Sequence, residues 1–171
     1  MQSHTQNRES YERVLARLKM IDDVTRALTQ SFDLEHTLDD ILDKVLEVLG
    51  MGVGAVYLLD EEHQGLTLVA HRNLPPDVRD CEDGPKSARM LARHEELLCR
   101  LAGPLQSKGE TNGLLFVGDS LSCPWLRQEA ELLATVCNIM GMFVGNVRLY
   151  QERIRQLQVE RSILMVTEQV T

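Results

Sequence analysis

Aromatic residues are scarce in this chain of 171 residues, at 4% of the total with a single Trp. This scarcity argues against the base-stacking platforms of single-strand nucleic-acid binders and against aromatic cages. Basic residues are also outnumbered, because 18 Lys and Arg stand against 26 Asp and Glu, for a net charge of −8. Phosphate binding depends on clustered Lys and Arg. We therefore predict no nucleic-acid partner and no anionic membrane surface as a partner.

The signatures of several enzyme and metal-site classes are absent from the sequence. It contains no C-x-x-C pair, no G-x-x-x-x-G-K-[ST], no H-E-x-x-H and no G-x-S-x-G. These absences argue against zinc-ribbon or thioredoxin chemistry, a P-loop, a zinc protease site and a hydrolase nucleophile elbow. Gly52 and Gly54 lack the third glycine of a dinucleotide fingerprint. The prediction is a non-enzyme with no catalytic residue, no metal and no cofactor.

Four cysteines are present, Cys81, Cys99, Cys123 and Cys137, without a signal-peptide core at the N-terminus. Uninterrupted apolar runs are far shorter than the ~20 residues that span a bilayer. These features predict a cytoplasmic chain without a membrane span, whose cysteines are free and mostly buried thiols. Acidic neighbours of Cys81 disfavour a reactive thiolate.

Helical periodicity dominates both ends of the sequence. Residues 1–10 are polar and are predicted to be flexible, and an amphipathic helix covers about 11–30. A second helix is predicted over 34–49, with Asp33 as its N-cap and Gly50 as its stop. A final helix of about 45 residues runs from Leu126 to the end of the sequence.

Two β-hairpins are predicted between the helical ends. Residues 53–60 and 66–72 form the first, with Val56 opposite Ala70 and Leu58 opposite Leu68 on one apolar face. The other face is mixed and carries Ala55, Tyr57, Val69 and His71. Residues 99–107 and 113–119 form the second hairpin, in which Pro104 is expected at a strand edge or bulge. A proline-rich acidic loop and a short helix over 86–98 connect the two hairpins.

The mixed face of the first hairpin is the expected wall of any ligand pocket. Its candidate lining residues are Tyr57, His71, Met90, Arg93 and His94. Histidine and arginine in a cavity suit an anionic ligand or a metal ion. The alternative interpretation is a half-buried strand histidine beside a surface histidine and a solvent-facing row of arginines.

Apolar positions on the first and last helices recur at spacings of three and four residues, the pattern of a helix–helix seam. The predicted seam residues are Val14, Leu18, Ile21, Leu28, Val136, Ile139, Phe143, Tyr150, Ile154 and Leu157. Val159 and Ile163 continue the apolar pattern at a displaced phase, as after a stutter. We expect these helices to pair across a two-fold axis.

Four stretches in order carry a family resemblance. The first, 31–62, is a leucine-rich helix that leads to a strand ending in L-D, and the second, 66–77, is a strand with its exit. The third, 101–119, is a hairpin with a P-L, turn and G-x-L pattern, and the fourth, 125–152, is the closing helix. Together they resemble the GAF domain family over roughly residues 25–152. The resemblance implies an α+β, PAS-related fold whose antiparallel sheet has long N- and C-terminal helices packed on one face. It also implies a small-molecule pocket on the other face and a role as a sensory input module of a bacterial signalling protein.

Two departures from the family pattern modify these expectations. The segment 73–98 is short for a pocket lid, and the Asn-Lys-x-Phe-Asp-Glu signature of cyclic-nucleotide-binding members is absent, as is a bilin-type Cys-His dipeptide. The leading hypothesis is therefore a non-catalytic, homodimeric sensory module over 11–152. In this hypothesis, 153–171 relays the signal to an output domain beyond Thr171, such as a kinase, cyclase or HD-type hydrolase of a two-component or related system. The alternatives are a small-ligand receptor and, with less support, a thiol-dependent reductase of free methionine sulfoxide.

Overall fold

The computed structural model describes residues 2–30, 33–60, 65–123 and 126–170, with side chains for 8–26, 33–60, 65–123 and 127–170. Five helices and four strands lie within these residues, as pairs of helices followed by pairs of strands. In chain order they are α1 (Gln2–Gln30), α2 (Leu34–Leu49), β1 (Val53–Leu59), β2 (Leu66–Arg72), α3 (Pro76–Arg79), α4 (Gly84–Ala92), β3 (Cys99–Ser107), β4 (Glu110–Asp119) and α5 (Leu126–Val170).

The four strands form one antiparallel sheet in the order β2-β1-β4-β3. Alternate side chains of a strand point to opposite faces, so the sheet supports two separate apolar clusters. The larger cluster joins one face to α1, α2 and α5, and the smaller joins the other face to α3 and α4. The predicted α+β class with long terminal helices on one face is confirmed.

Local sequence signals determine where α2 begins and ends. The Asp33 carboxylate accepts a hydrogen bond from the His36 backbone N–H, which satisfies one free donor of the first turn. Gly50 ends the helix in the left-handed conformation with φ of 64°, which a residue with a Cβ adopts at a cost. The residues buried between these caps face the sheet and α1; they are Thr37, Leu38, Ile41, Leu42, Val45, Leu46 and Leu49.

A β-bulge changes the register of the first hairpin from the predicted one. Val56 lies opposite Ala70 as predicted, but Tyr57 lies opposite Leu68 because the register shifts between Val56 and Tyr57. The predicted pairing of Leu58 with Leu68 is therefore wrong, since Leu58 lies opposite Thr67. The extra residue also places two side chains on the faces opposite to those predicted. Val69 packs against the large cluster, and Leu68 packs against the small one.

Several other element boundaries differ from the predictions; β4 begins at Glu110 instead of 113, and the predicted loop contains the short helix α3. The first helix begins at Gln2, so residues 2–10 continue it instead of preceding it. Helix α4 ends at Ala92, and residues 93–98 are not helical although helical spacing extended the prediction to 98. Pro104 lies on β3, which is an edge strand, as its missing N–H requires.

The expectation of four free thiols is wrong for two of them. Cys99 and Cys123 form a disulfide with a Cα–Cα distance of 5.6 Å. Cys99 begins β3 directly opposite Asp119, the last residue of β4, so the chain returns to Cys99 as it leaves the hairpin. Cys81 and Cys137 are free, and burial raises the pKa of the Cys137 thiol to about 12.

Arg72 ties the outer strand β2 to α2. Its guanidinium donates to both Asp39 oxygens, each at 2.8 Å, and to both Asp43 oxygens at 2.6 and 2.9 Å. The Arg72 hydrogen bonds hold the pKa of Asp39 below its ordinary value, and the two carboxylates raise the pKa of Arg72. This bidentate cluster holds α2 against the edge of the sheet.

Among the described helices, α5 alone has the length and composition that would allow it to cross a membrane. Half of its most apolar window is buried inside the domain, as is usual for the core helix of a soluble fold. Its apolar character therefore has an explanation in the packing of the sheet.

Candidate functional site

The layer between the sheet and α3–α4 is where the sequence predicts a pocket, and apolar side chains fill it. The Tyr57 ring is fully buried there, and Phe116 of β4 lies in the same cluster. Val78 of α3 and Leu91 of α4 pack against them and are also fully buried. The residues predicted to line a cavity thus lie in or around a small second core.

Helix α4 begins in direct contact with the outer strand. A Cβ at Gly84 would overlap the Leu66 carbonyl oxygen of β2, so the α4 backbone lies against the β2 backbone. Asp83 caps the helix by accepting from the Lys86 N–H at 3.0 Å. The short 73–98 segment therefore closes over the sheet at van der Waals distance.

A buried hydrogen-bond chain joins the sheet to both short helices. Ser87 donates its hydroxyl proton to the Val78 carbonyl oxygen at 3.0 Å, so the Tyr57 hydroxyl donates to Ser87 Oγ at 2.9 Å. Burial raises the pKa of Tyr57. Tyr57 thus connects β1 to α4, and Ser87 connects α4 to α3.

Removing the Ser87 hydroxyl is expected to destabilise the protein more than removing the Tyr57 hydroxyl. Ser87→Ala leaves the buried Tyr57 hydroxyl without its acceptor and should lower the free energy of unfolding by about 1–3 kcal/mol. Tyr57→Phe removes one donor while Ser87 keeps its bond to Val78, so a loss of about 1 kcal/mol is expected. Urea unfolding of the two variants and of the double variant measures both. Equal losses for the two single variants would contradict this arrangement.

The remaining pocket candidates are dispersed around this layer. Met90 is half-buried and packs against the small cluster, whereas His71 and Arg93 are exposed. His94 is half-buried, with Nε2 3.5 Å from Asp77 Oδ1 of α3 and with a buried Nδ1 that has no partner among the described residues. The structure brings Tyr57 and Met90 together, and it places His71 and Arg93 on the surface.

The predicted helix seam divides into a buried part and an exposed part. Val136 is fully buried and Phe143 is 7% exposed, so both belong to the core of the chain itself and are not available to a second chain. Ile21 and Ile139 are partly buried and pack against that core. The Leu28 side chain lies outside the described residues.

The rest of the seam is open to solvent. Val14 and Leu18 on α1 are 52% and 59% exposed, and Leu157 on α5 is 58% exposed. Every described side chain of 8–16 and every residue of 151–170 is exposed. We call the exposed apolar side chains of α1 and of the outer part of α5 the flanking stripe; they are Tyr11, Val14, Leu15, Leu18, Leu149, Tyr150, Ile154, Leu157, Val159, Ile163, Leu164, Met165, Val166 and Val170.

Large exposed apolar patches on soluble proteins commonly mark interaction sites. Scattered exposed leucines are ordinary in soluble proteins, but Val14 and Leu18 on α1, and Tyr150, Ile154 and Leu157 on α5, recur at spacings of three and four residues. Arg17 of α1 reaches the first turn of α5 through a 2.6 Å ion pair with the buried Glu129. The two helices that carry the stripe are thus in contact at the start of α5, well before its stripe residues begin at Leu149.

A sequence profile of the GAF domain matches residues 33–144, which span α2, the sheet and most of the buried part of α5. The chain belongs to the GAF domain family. The predicted family is therefore confirmed. No curated protein sequence matches the GAF chain.

Solved structures with this fold include GAF domains of signalling proteins. One from a putative sensor histidine kinase of Pseudomonas syringae pv. tomato superposes with a TM-score of 0.69 at 18% identity, covering 88% of this chain and 99% of that one. The GAF domain of a Coxiella burnetii phosphoenolpyruvate-protein phosphotransferase gives 0.64 at 16% identity, covering 81% and 98%. These identities establish the fold alone.

One structural neighbour is an enzyme. The free methionine-R-sulfoxide reductase of Neisseria meningitidis, solved in complex with its substrate, superposes with a TM-score of 0.62 at 15% identity. The alignment covers 81% of this chain and 93% of that one. Structures with this fold thus include domains of signalling proteins and a reductase, and the fold by itself does not decide between these roles.

Two features of the site escaped the sequence analysis. The Arg17–Glu129 ion pair joins residues 112 positions apart, and no local pattern predicts such a contact. The Cys99–Cys123 disulfide did have a signal. A predicted hairpin whose first strand begins at Cys99, and whose second strand ends shortly before Cys123, brings the two sulfurs to the same end of the hairpin.

Proposed function

We propose that this GAF domain is a non-catalytic, homodimeric sensory module that works in the cytoplasm and passes a signal along its terminal helices. Residues 11–152 form the module, and 153–171 form the relay to a covalently linked output domain, such as a kinase, a cyclase or an HD-type hydrolase. The observation that carries the proposal is the flanking stripe. Helix α1 and the outer part of α5 each expose apolar side chains, several at spacings of three and four residues, which a second copy of the chain would bury.

The composition of the stripe favours a protein partner with the same surface. A two-fold axis lets one self-complementary surface cover its own copy, so no second gene product is required. The net charge of −8 disfavours the anionic surface of a membrane as the occupant. The neighbours from a sensor kinase and phosphotransferases support an output domain in the same polypeptide.

Cysteine cross-linking tests the pairing of the outer part of α5. Leu157→Cys lies on the seam with Tyr150 and Ile154, and Glu152→Cys lies on the opposite side of the same helix, so the two variants form a matched pair. In a Cys81→Ser background, we expect Leu157→Cys to cross-link between copies at least about tenfold faster than Glu152→Cys under mild oxidation, because only seam positions face each other in a coiled coil. Equal rates at the two positions would show that the seam does not mediate pairing.

A thiol reductase is the second candidate, and the disulfide is the observation that favours it. Reduction of a sulfoxide to a thioether takes two electrons, which two thiols supply as they form one disulfide and release water. Cys99 and Cys123 are close enough to do so. The test is whether the reduced chain forms methionine from free methionine sulfoxide at a rate that Cys123→Ser abolishes. The filled layer beneath α3 and α4 offers no comparable observation in favour of a ligand receptor.

A further inference from the structure

The Cys99–Cys123 disulfide lies between the sheet and the beginning of the longest helix. Cys99 is the first residue of β3 and is 2% exposed, whereas Cys123 is half-buried in the connection from β4 to α5. The bond closes the open end of the β3–β4 hairpin. One sulfur is thus fixed in the core, and the other is held by a short connecting segment.

Backbone and side-chain hydrogen bonds already fix the end of β4 without the disulfide. Asp119 pairs with Cys99 in the β3–β4 ladder, and its carboxylate accepts from the Gly52 N–H and the Leu121 N–H, each at 2.9 Å. The disulfide therefore adds little to the hairpin. What it holds is the chain beyond Leu121, which leads into α5.

Core packing and one ion pair hold the first turns of α5, because Leu132 and Leu133 are buried in the large cluster. The Glu129 carboxylate pairs with Arg17 of α1 through Oε1, and its Oε2, also buried, has no partner among the described residues. Further along α5, the helix packs closely on β3, where Cys137 meets Gly103 and Gly141 meets the Gln106 backbone. The middle of α5 is thus anchored on the sheet, and its start is held by the large cluster, one ion pair and one disulfide.

We propose that the Cys99–Cys123 disulfide is a thiol–disulfide exchange site that controls the attachment of the start of α5 and of its contact with α1. The reductant is a dithiol of the thioredoxin type or two molecules of a small monothiol. Disulfides of cytoplasmic proteins are usually transient and redox-sensing or catalytic, which agrees with this role. The proposal rests on the proposed relay, because α5 is the helix that would carry the signal.

The exchange proceeds in two balanced steps. A reductant thiolate attacks Cys123 Sγ, the more accessible sulfur, and a mixed disulfide forms as the Cys99–Cys123 bond breaks and Cys99 leaves as a thiolate that takes up a proton. A second reductant thiolate then attacks the reductant's sulfur in the mixed disulfide. This step releases Cys123 as a thiolate, which takes up another proton. The protein gains two electrons and two protons, and the reductant becomes a disulfide. Exchange with an oxidised small disulfide reverses the reaction.

Amide hydrogen exchange of the full chain, with and without dithiothreitol, tests the proposal. In the reduced chain we expect exchange over 127–135 to be at least about tenfold faster, while β1 and β4 stay unchanged. Cys123→Ser should reproduce the reduced pattern without reductant. Cys81→Ser, which alters a free cysteine elsewhere, is the matched control and should respond to dithiothreitol as the unmodified chain does.

Three results would overturn the proposal. The first is equal exchange over 127–135 in the two states, and the second is acceleration across the whole sheet, which would make the disulfide a general structural bond. The third is a disulfide that dithiothreitol does not reduce in the folded chain, as shown by the mass of the alkylated protein.

The mass of the chain in solution separates this proposal from the relay itself. A monomer whose α5 still loosens on reduction would contradict the relay and retain the exchange site. A dimer whose α5 is insensitive to reduction would retain the relay and contradict the exchange site.

Discussion

Leu18→Glu is expected to convert the dimer into a monomer by weakening self-association at least about 100-fold. Each interface would lose two buried leucines and gain two carboxylates facing each other across the two-fold axis. The fold of the single chain should remain, because Leu18 is 59% exposed in it. Sedimentation velocity over a range of concentrations measures the association, and circular dichroism checks the fold.

Leu98→Glu is the matched control for this substitution. Leu98 is 66% exposed, similar to Leu18, but lies outside both terminal helices. The Leu98→Glu variant should therefore self-associate as strongly as the unmodified chain. Phe143→Glu provides the opposite contrast, since a charge at this buried position should unfold the domain instead of dissociating it. If the Leu18→Glu chain associated as strongly as the Leu98→Glu chain, α1 would not be part of the dimer interface.

Gly141→Ala is expected to lower the free energy of unfolding by about 2–4 kcal/mol. The new Cβ would overlap the backbone N and O of Gln106 on β3, and neither atom can move without displacing the strand. Helix α5 would therefore have to shift away from the sheet. The usual gain of about 1 kcal/mol for alanine over glycine within a helix is too small to offset this. Urea unfolding monitored by circular dichroism gives the difference.

Gly145→Ala, one helical turn further along the same face, is the matched control. It distinguishes the effect of alanine on helix propensity from the steric cost of the close approach to β3. Its Cβ would lie 2.9 Å from Ser107 Oγ, which can rotate away, 3.1 Å from Ser107 Cβ and 3.6 Å from Asn112 Nδ2, and it would overlap no backbone atom. The expected change is within about 1 kcal/mol of zero. Equal losses for Gly141→Ala and Gly145→Ala would show that the close approach of α5 to β3 is not what limits stability.

Local signals in the sequence were sufficient to predict most of the elements. Asp33 and Gly50 define α2, because caps act on the neighbouring backbone alone. The strand 66–72 and the length of α5 were also predicted from periodicity and from the turns around them. The family resemblance supplied the arrangement of the sheet and helices, which no local signal contains.

Predictions that depended on an exact count across a turn were less successful. Equal spacing predicted Leu58 opposite Leu68, and a single extra residue at the bulge moved Leu68 to the other face. Bulges have no strong sequence signal here, because Val69 suits either face. The free-thiol prediction for Cys99 failed for a different reason, since it was based on compartment and composition and not on where the hairpin places the sulfurs.

The candidate site shows what periodicity can and cannot determine. Heptad spacing identified Val136 and Phe143 as well as Leu18 and Leu157, but only the fold shows that the first two are buried inside the chain and the last two exposed. The same apolar spacing fits a sheet and a partner helix equally well. The difference depends on where α5 extends past the sheet, and this follows from the sheet's dimensions and not from the helix sequence.

Equilibrium sedimentation of the unmodified chain at micromolar concentration tests the central claim most directly. Our account predicts a species of twice the chain mass of 19.4 kDa, because the flanking stripe would be buried between two copies. A mass of 19.4 kDa that persists as the concentration rises would contradict the dimeric relay and leave the stripe without its proposed partner.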